Sequence, residues 1–479
     1  MTVQLESRRD ITLEAVDRTA WQKEDVRIAD NAMRRMADCK ASFLRLLDDP
    51  DIVIYGVTSG YGQHARLRLT ADERKAQATR APMAAATTFG TPLPARVTRA
   101  VVLARLSNFL DGHAAVSPHV AAAVAAMLNG ASLPPVPVRG NGGAGEIQAL
   151  SHLFGPLASG LDLAEKDALA LINGSPCAAA LVADAALSAR RRLALAEEVF
   201  ALSAEAVRMP LEHVAEELET LWDDPYDAAA VRRLRQLLNG GDGDRRPYQA
   251  PVSYRILPRM LGRLRRAVAA TEEAATTSLS SVSDNPVYLP PKPSRSDHPN
   301  GRIMSTGGYH NAAAWPAMDE LAACFADLCT IADRHGARLL HGAHSLLPDQ
   351  LMPEETGYLG CIPMAQVGWG QAARHAAQRT FLPGSESGGF GQNDVAPPNF
   401  DAWERQDDAG RMLDAAMAGL AIIAARALAV TGRAAPGPLA ALVQQVNGNA
   451  TLDKQHPPGP EIEKLAAVFE DRLYPKVSV

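Results

Sequence analysis

An all-α protein of long helices packed side by side is the fold this sequence predicts, and three observations predict it. Apolar residues recur at helical spacing in Leu195, Val199 and Leu202, in Leu261, Leu264 and Val268, and in Leu413, Met417 and Leu420, the period of a buried helix face. Alanine is abundant while aromatic residues make up only 5% of the chain, so helices can approach closely and run as a bundle. Alternation at period two is nearly absent. Asp51-Ile-Val-Ile-Tyr-Gly56, a short apolar run closed by glycine, is the one place for a small strand or the start of a turn.

From the N-terminus, polar Met1-Thr-Val-Gln-Leu-Glu-Ser-Arg-Arg-Asp10 has no apolar core of a leader peptide, so export is not expected. Two breaks carry turn chemistry. Leu133-Pro-Pro-Val-Pro-Val-Arg-Gly-Asn-Gly-Gly-Ala-Gly145 leads into a helix, and Leu289-Pro-Pro-Lys-Pro-Ser-Arg-Ser-Asp-His-Pro299 reads as a solvent-exposed insertion. The stretch from Ala415 to Val430 is alanine-rich, short and interrupted by Arg426, which argues for a core helix over a membrane span. Two domains are expected: residues 1–200 with the Tyr55 loop and the glycine turn at 139–150, and residues 201–479 with the central bundle and C-terminal helices.

With 47% hydrophobic and 21% charged residues and a net charge of -6, the chain reads as a folded protein of the cytoplasm. No basic stripe is present to collect phosphates, so neither nucleic acid nor an anionic membrane is the expected partner. A small molecule is. The five cysteines, Cys39, Cys177, Cys324, Cys329 and Cys361, are too scattered for a disulfide framework or a metal knuckle. His335, His341 and His344 cluster in sequence, but no motif completes a ligand set, and ordinary core or solvated histidines are expected. Glycines before a helix at Arg139–Leu150 invite a phosphate reading. No strand–helix unit surrounds them and no Lys-Ser/Thr pair follows, so a backbone turn is the better reading.

Three further segments are too polar for a core and too specific for casual loops: Tyr55-Gly-Val-Thr-Ser-Gly-Tyr-Gly62, Asn173-Gly-Ser175 and Ser283-Asp-Asn-Pro286. With the glycine turn, Leu169-Ala-Leu-Ile-Asn-Gly-Ser175, Gly307-Gly-Tyr-His-Asn311 and Gly391-Gln-Asn-Asp394, their order from about Leu13 to Leu428 resembles the aromatic amino acid ammonia-lyase and aminomutase family. That resemblance implies a long-helix bundle of the fumarase/aspartase-like type, assembled as a homotetramer, with active sites built from more than one subunit. It also implies an electrophile, methylidene-imidazolone, made when an Ala-Ser-Gly tripeptide cyclises and loses water.

Here that tripeptide is matched by Gly143-Ala144-Gly145. Ala144 has no Oγ to eliminate, so the electrophile is expected to be absent and no other cofactor or metal is implied. Ser151 lies within the following helix, where the backbone cannot close a five-membered ring. Aligning Gln249, Ser253 and Arg255 on the family's QDxYSxR-like string puts Ala250 at its aspartate and Val252 at its proton-transferring tyrosine. Met83-Ala84 stands where a Ser-His pair would read the substrate ring, Gly308 replaces the asparagine of GGNFHG, and Asn393 the glutamate of NQED. A single replaced serine would not account for all of these.

What the resemblance leaves in place is a coherent subset. Tyr55 matches the family's other catalytic tyrosine, Asn173 the asparagine beside the electrophile, Arg255 the carboxylate-binding arginine and Gln392 the glutamine of NQED; Met83, Tyr309 and Asn393 complete the substrate-facing set. Arginine grips a carboxylate in bidentate fashion, and a phenol positioned at the substrate can transfer a proton. The expected activity is therefore an electrophile-independent elimination, addition, cyclisation or isomerisation of a small carboxylate-bearing substrate. It differs from standard histidine, phenylalanine or tyrosine deamination. The alternative is a non-catalytic binding subunit, alone or in a hetero-oligomer with an intact paralogue.

Overall fold

The computed structural model describes residues 2–61, 64–130, 132–292, 297–352, 359–385, 391–451 and 457–472. Gly62 of the Tyr55 motif and residues 293–296 of the second proline-rich break lie outside the described residues. The chain is all-α, with its longest helices at Pro176–Ala206, Leu257–Ser280, Ala314–Leu340 and Asn399–Val430. All nine apolar residues whose spacing predicts helix faces are buried on these helices. The most apolar windows of the two longest apolar helical stretches are 89% and 78% buried within the protein, which makes them core helices.

Contacts group the chain into two compact units of three segments each. The first is Met1–Leu187, Thr271–Ala317 and Thr380–Glu404; the second is Ser188–Ala270, Met318–Arg379 and Arg405–Val479. A boundary at residue 200 divides the chain into consecutive halves, whereas compactness first divides it at Leu187–Ser188 and returns it to the first unit twice. The reason is that long helices outlast a single unit.

At the centre of the first unit is helix Ala95–Leu110, in which every residue from Val97 to Leu110 is buried. A helix buried on all sides must answer its charges locally. Arg99 does so by donating to the carbonyls of Thr19 and Leu128, each at 2.9 Å. Helix Ala71–Ala78 starts at a capping box, with Thr70 Oγ1 accepting from Glu73 N and the Glu73 carboxylate accepting from Thr70 N.

Where the sequence left a strand or a turn open at residues 51–56, the chain turns. The amides of Val57, Thr58 and Ser59 all donate to the carbonyl of Ile54. The strands lie elsewhere, each only three or four residues long: Thr2–Leu5 pairs in parallel with Asp25–Ile28, and Val287–Leu289 pairs antiparallel with Arg302–Met304. The second pair brings Ser283–Pro286 beside Ser305–Tyr309. The proline-rich break is the connection between its strands, and Pro291 and Lys292 are exposed.

In the second unit small residues let helices meet. A side chain at Gly336 would stand 2.7 Å from Gln366 Oε1, and one at Gly419 3.0 Å from Ile362 Cγ2. Gln366 uses that closeness to donate to the carbonyl of Ala416 at 2.9 Å. Three buried arginines are ion-paired: Arg191 and Arg192 each reach Asp414 at 3.0 Å, and Arg265 reaches Glu197 at 2.6 Å.

Candidate active site

Tyr55 sits half-buried in the turn that follows Ile54. The turn is held from inside by Thr58, whose Oγ1 accepts from Ile54 N at 2.8 Å and donates to the Ile52 carbonyl at 3.0 Å. It is held from outside by Gln77, whose amide donates to the Gly56 carbonyl at 2.9 Å. Gly56 has φ +71°, and a Cβ there would stand 2.8 Å from Leu169 Cδ2. Glycine is required at that position on both counts.

The glycine turn is anchored at both ends. Leu93 and Val138 amides pair residues 91–93 with 136–138, and the Arg139 guanidinium grips Glu404 at 2.8 Å. Gly143, Ala144 and Gly145 follow, with the ring of Tyr309 beside Gly145. Asn173 closes the opposite side. Its Oδ1 accepts from Gly174 N at 2.9 Å, its Nδ2 donates to the carbonyl of Asn285, and its own carbonyl accepts from Arg105. Asn285 in turn accepts through Oδ1 from Thr306 N at 2.8 Å and Ser305 Oγ at 3.1 Å.

These parts surround a cavity of about 830 Å³. Tyr55, Asn173, Tyr309, Gln392, Asn393 and the turn Gly143–Gly145 all line it. The sequence reading thus brought five side chains and the turn to one place. Two of its residues lie elsewhere. Met83 is 48% exposed, lies outside the lining, and has its sulfur against Gly155 of helix Ile147–Ala158. Arg255 belongs to the second unit, where its Nε donates to the carbonyl of Ala250 at 3.1 Å. Val252, at the position of the expected tyrosine, is 57% exposed. Tyr254 is sealed in the second unit's core, stacked on His335 with ring centroids 3.6 Å apart. Burial there pushes the His335 imidazole down to about 3, so this histidine is a neutral core residue.

Beneath the turn lies a group that sequence reasoning missed. Glu146, the residue after Gly145, is only 4% exposed, and its carboxylate accepts from Cys177 N at 2.6 Å and Ala178 N at 2.7 Å. Those amides open helix Pro176–Ala206, whose first N–H groups have no partner within the helix and carry its positive end. Glu146 therefore ties the turn to the start of the longest core helix of this region. Burial pushes its carboxyl up to about 7, against the two backbone hydrogen bonds and the charge of Arg105, which pull it down. The only signal in the sequence is a lone acidic residue between a glycine turn and an apolar helix. Nearby, Lys166 and Asp284 form an ion pair with both side chains fully buried. Removing one partner of such a pair costs about 3–5 kcal/mol.

The turn does not fit the family's electrophile. Between Arg139 and Glu146 no residue carries a hydroxyl or thiol, and Ser151 is buried within helix Ile147–Ala158. The Cys177 thiol, near in space through Glu146, is pushed up by burial and by that carboxylate, which keeps it a protonated core thiol. What remains is a polar cavity bordered by one phenol at each of Tyr55 and Tyr309, by amides, and by exposed turn backbone.

The sequence profile of the aromatic amino acid lyase family matches residues 11–161 and 157–448. A histidine ammonia-lyase from Caldanaerobacter subterraneus subsp. tengcongensis is 24% identical over 386 residues, 74% of this chain and 74% of that protein. Among solved structures, a tyrosine aminomutase from Streptomyces globisporus superposes with a TM-score of 0.85 at 22% identity, covering 98% of this chain and 97% of its own. The ergothioneine-degrading enzyme ergothionase from Treponema denticola, solved with desmethyl-ergothioneine sulfonic acid, superposes with a TM-score of 0.87 at 18% identity, covering 98% and 99%.

Proposed function

The chain belongs to the aromatic amino acid lyase family, an enzyme family, and from that premise we propose that it is a lyase-type enzyme working without methylidene-imidazolone. Its reaction is acid–base chemistry on a small carboxylate-bearing substrate. The observation that carries this reading is the cavity of about 830 Å³ that gathers Tyr55, Asn173, Tyr309, Gln392 and Asn393 around a turn with no hydroxyl.

In an elimination run by this pocket, Tyr55 takes the proton from the carbon next to the one bearing the leaving group. The C–H electron pair becomes the double bond, and the leaving group departs with the pair of its own bond. An amine at an ordinary amino acid leaves poorly, so a substrate suited to this pocket carries a group that departs without electrophilic activation. Addition, cyclisation and isomerisation use the same proton transfer and positioning. Asn173 is held rigid by Gly174 and Asn285, which suits it to orient the substrate. Arg255 anchors the carboxylate, contributed by another copy of the chain in a homotetramer of the cytoplasm. A non-catalytic binding subunit is the second reading, favoured by Val252 at the expected tyrosine.

Intact-mass spectrometry combined with turnover assays on small carboxylic acids tests the proposal. The expected mass is that of the unmodified chain, with no deamination of histidine, phenylalanine or tyrosine. A loss of two waters within the peptide holding residues 143–145, or steady formation of urocanate, cinnamate or coumarate, overturns it. A stable monomer in sedimentation removes the proposed role of Arg255.

A further inference from the structure

A second chamber of about 360 Å³ adjoins the first and shares Tyr55, Ala85, Ile147, Asn173 and Asn393 with it. Its own walls differ in kind. Ala78, Ala81, Ala84 and Ala168 supply short side chains, and Leu169 and Ile172 supply apolar ones. None of these can hydrogen-bond to a ring. The polar groups that line only this chamber are three cations, Arg74, Arg80 and Lys166, with Glu165, Tyr61 and Gln77 beside them. Lys166 is answered by buried Asp284, and Arg74 leans on the carbonyl of Leu47 at 3.4 Å. Arg80 is exposed at the end of helix Ala71–Ala78, with no side-chain hydrogen bond among the described residues.

Volume decides what fits. A dry cavity of about 150 Å³ is enough to take a benzene ring, so a single phenyl or imidazole would leave more than half of this chamber unfilled. Space left unfilled against the alanines, Leu169 and Ile172 forfeits dispersion contacts with those walls. An occupant that fills it gains burial of about 25 cal/mol for each Å² covered.

We infer that the smaller chamber receives the body of the substrate, and that this body is an apolar group larger than one ring with an anionic group at its far end, near Arg80. The inference rests on the proposed function only in taking the shared Tyr55 edge as the reacting end. The substrate class is thus an extended or bicyclic acid with charge at both ends, in place of a one-ring amino acid. Short alanines set the room, and the arginines set the terminal charge.

Calorimetric titration of the purified full chain with cinnamate, naphthylacrylate and carboxynaphthylacrylate tests this. Naphthylacrylate is expected to bind about five- to tenfold more tightly than cinnamate, as its added buried area dictates, and carboxynaphthylacrylate more tightly still. Ala84→Leu and, separately, Ala81→Leu are expected to erase the naphthyl preference while cinnamate binding stays within about twofold. Arg80→Gln is expected to remove the gain from the distal carboxylate alone, about fivefold for an exposed charge pair. Equal affinity for cinnamate and naphthylacrylate overturns the inference, as does unchanged naphthylacrylate binding in both filled variants, or no binding by any of the three. Binding that follows the predicted order in a protein without turnover leaves the chamber assignment standing and removes the proposed function. Turnover of one-ring acids with no naphthyl preference does the reverse.

Discussion

Tyr55 and Tyr254 are both tyrosines set among polar neighbours, and the chain uses them in opposite ways. Tyr55 is half-buried and borders two chambers, both of which Asn173 and Asn393 also line. Tyr254 is fully buried, stacked on His335, with its hydroxyl 3.2 Å from Ser203 Oγ, which also reaches His335 Nδ1 at 3.2 Å. Burial pushes the Tyr254 phenol well above its ordinary range. A phenol packed on all sides with neighbours as its partners specifies a core. A phenol that borders a cavity is placed where a molecule entering that cavity would meet it.

The sharpest way to break that comparison is Tyr55→Phe. Turnover on the substrate is expected to fall by about 10²–10⁴-fold, the range for a positioned acid or base, with stability and ligand binding nearly unchanged. Full retention of turnover would remove Tyr55 from the chemistry and leave the fold untouched. Next in size is Arg255→Ala, for which calorimetry should read a loss of carboxylate binding of about 1.5–3 kcal/mol, as for a charge-assisted hydrogen bond. An unchanged affinity would confine Arg255 to its contact with Ala250.

The two regions should also answer pH with opposite signs. Glu146 has a folded pKa of about 7 against 4.5 unperturbed. Its contribution is full below about 4.5 and is lost as pH rises through about 7, because the unfolded chain releases the proton first. His335 is held down to about 3 from 6.5. Its contribution is full above about 6.5 and is lost as pH falls toward 3. Each fully linked proton is worth about 1.4 kcal/mol per pH unit. Urea midpoints across pH 3–8 for wild type, Glu146→Gln and His335→Phe should show each variant losing its own slope; identical slopes in all three would refute both assignments. The smallest expected effect is that of Tyr254→Phe, about 1 kcal/mol of stability for one buried hydroxyl, with turnover intact. A loss of turnover there, with the variant still folded, would erase the distinction between the two tyrosines.

Much of the cavity's lining was legible because its residues stand in short, unusual strings. Tyr55, Asn173, Tyr309, Gln392 and Asn393 lie far apart in the chain, yet each was singled out and each lines the same cavity. Met83 was singled out by its position in a string, and its side chain packs on Gly155 instead of lining either chamber. Alignment places a residue, but the local helical turn at Met83–Ala85 decides which way its side chain goes. Glu146 escaped notice because its partners, Cys177 and Ala178, are thirty residues on, and only folding makes them neighbours. The strands escaped for a different reason: runs of three or four residues hold too few alternations to register as a period.

By itself the sequence determined the fold class, since apolar periodicity and alanine content restrict which helix faces can be buried and how closely they meet. It also determined that the turn at Ala144 holds no hydroxyl to eliminate, since a missing atom needs no structure to reveal it. Only the tertiary structure decided which polar groups share a void, which are consumed by neighbours, and how large the space beside Tyr55 is. Those properties depend on distances and burial between residues remote in the chain. The Glu146 carboxyl is pushed up to about 7 and the His335 imidazole down to about 3 for that reason: each is shifted chiefly by the water that folding removes, and no residue adjacent in sequence records that loss.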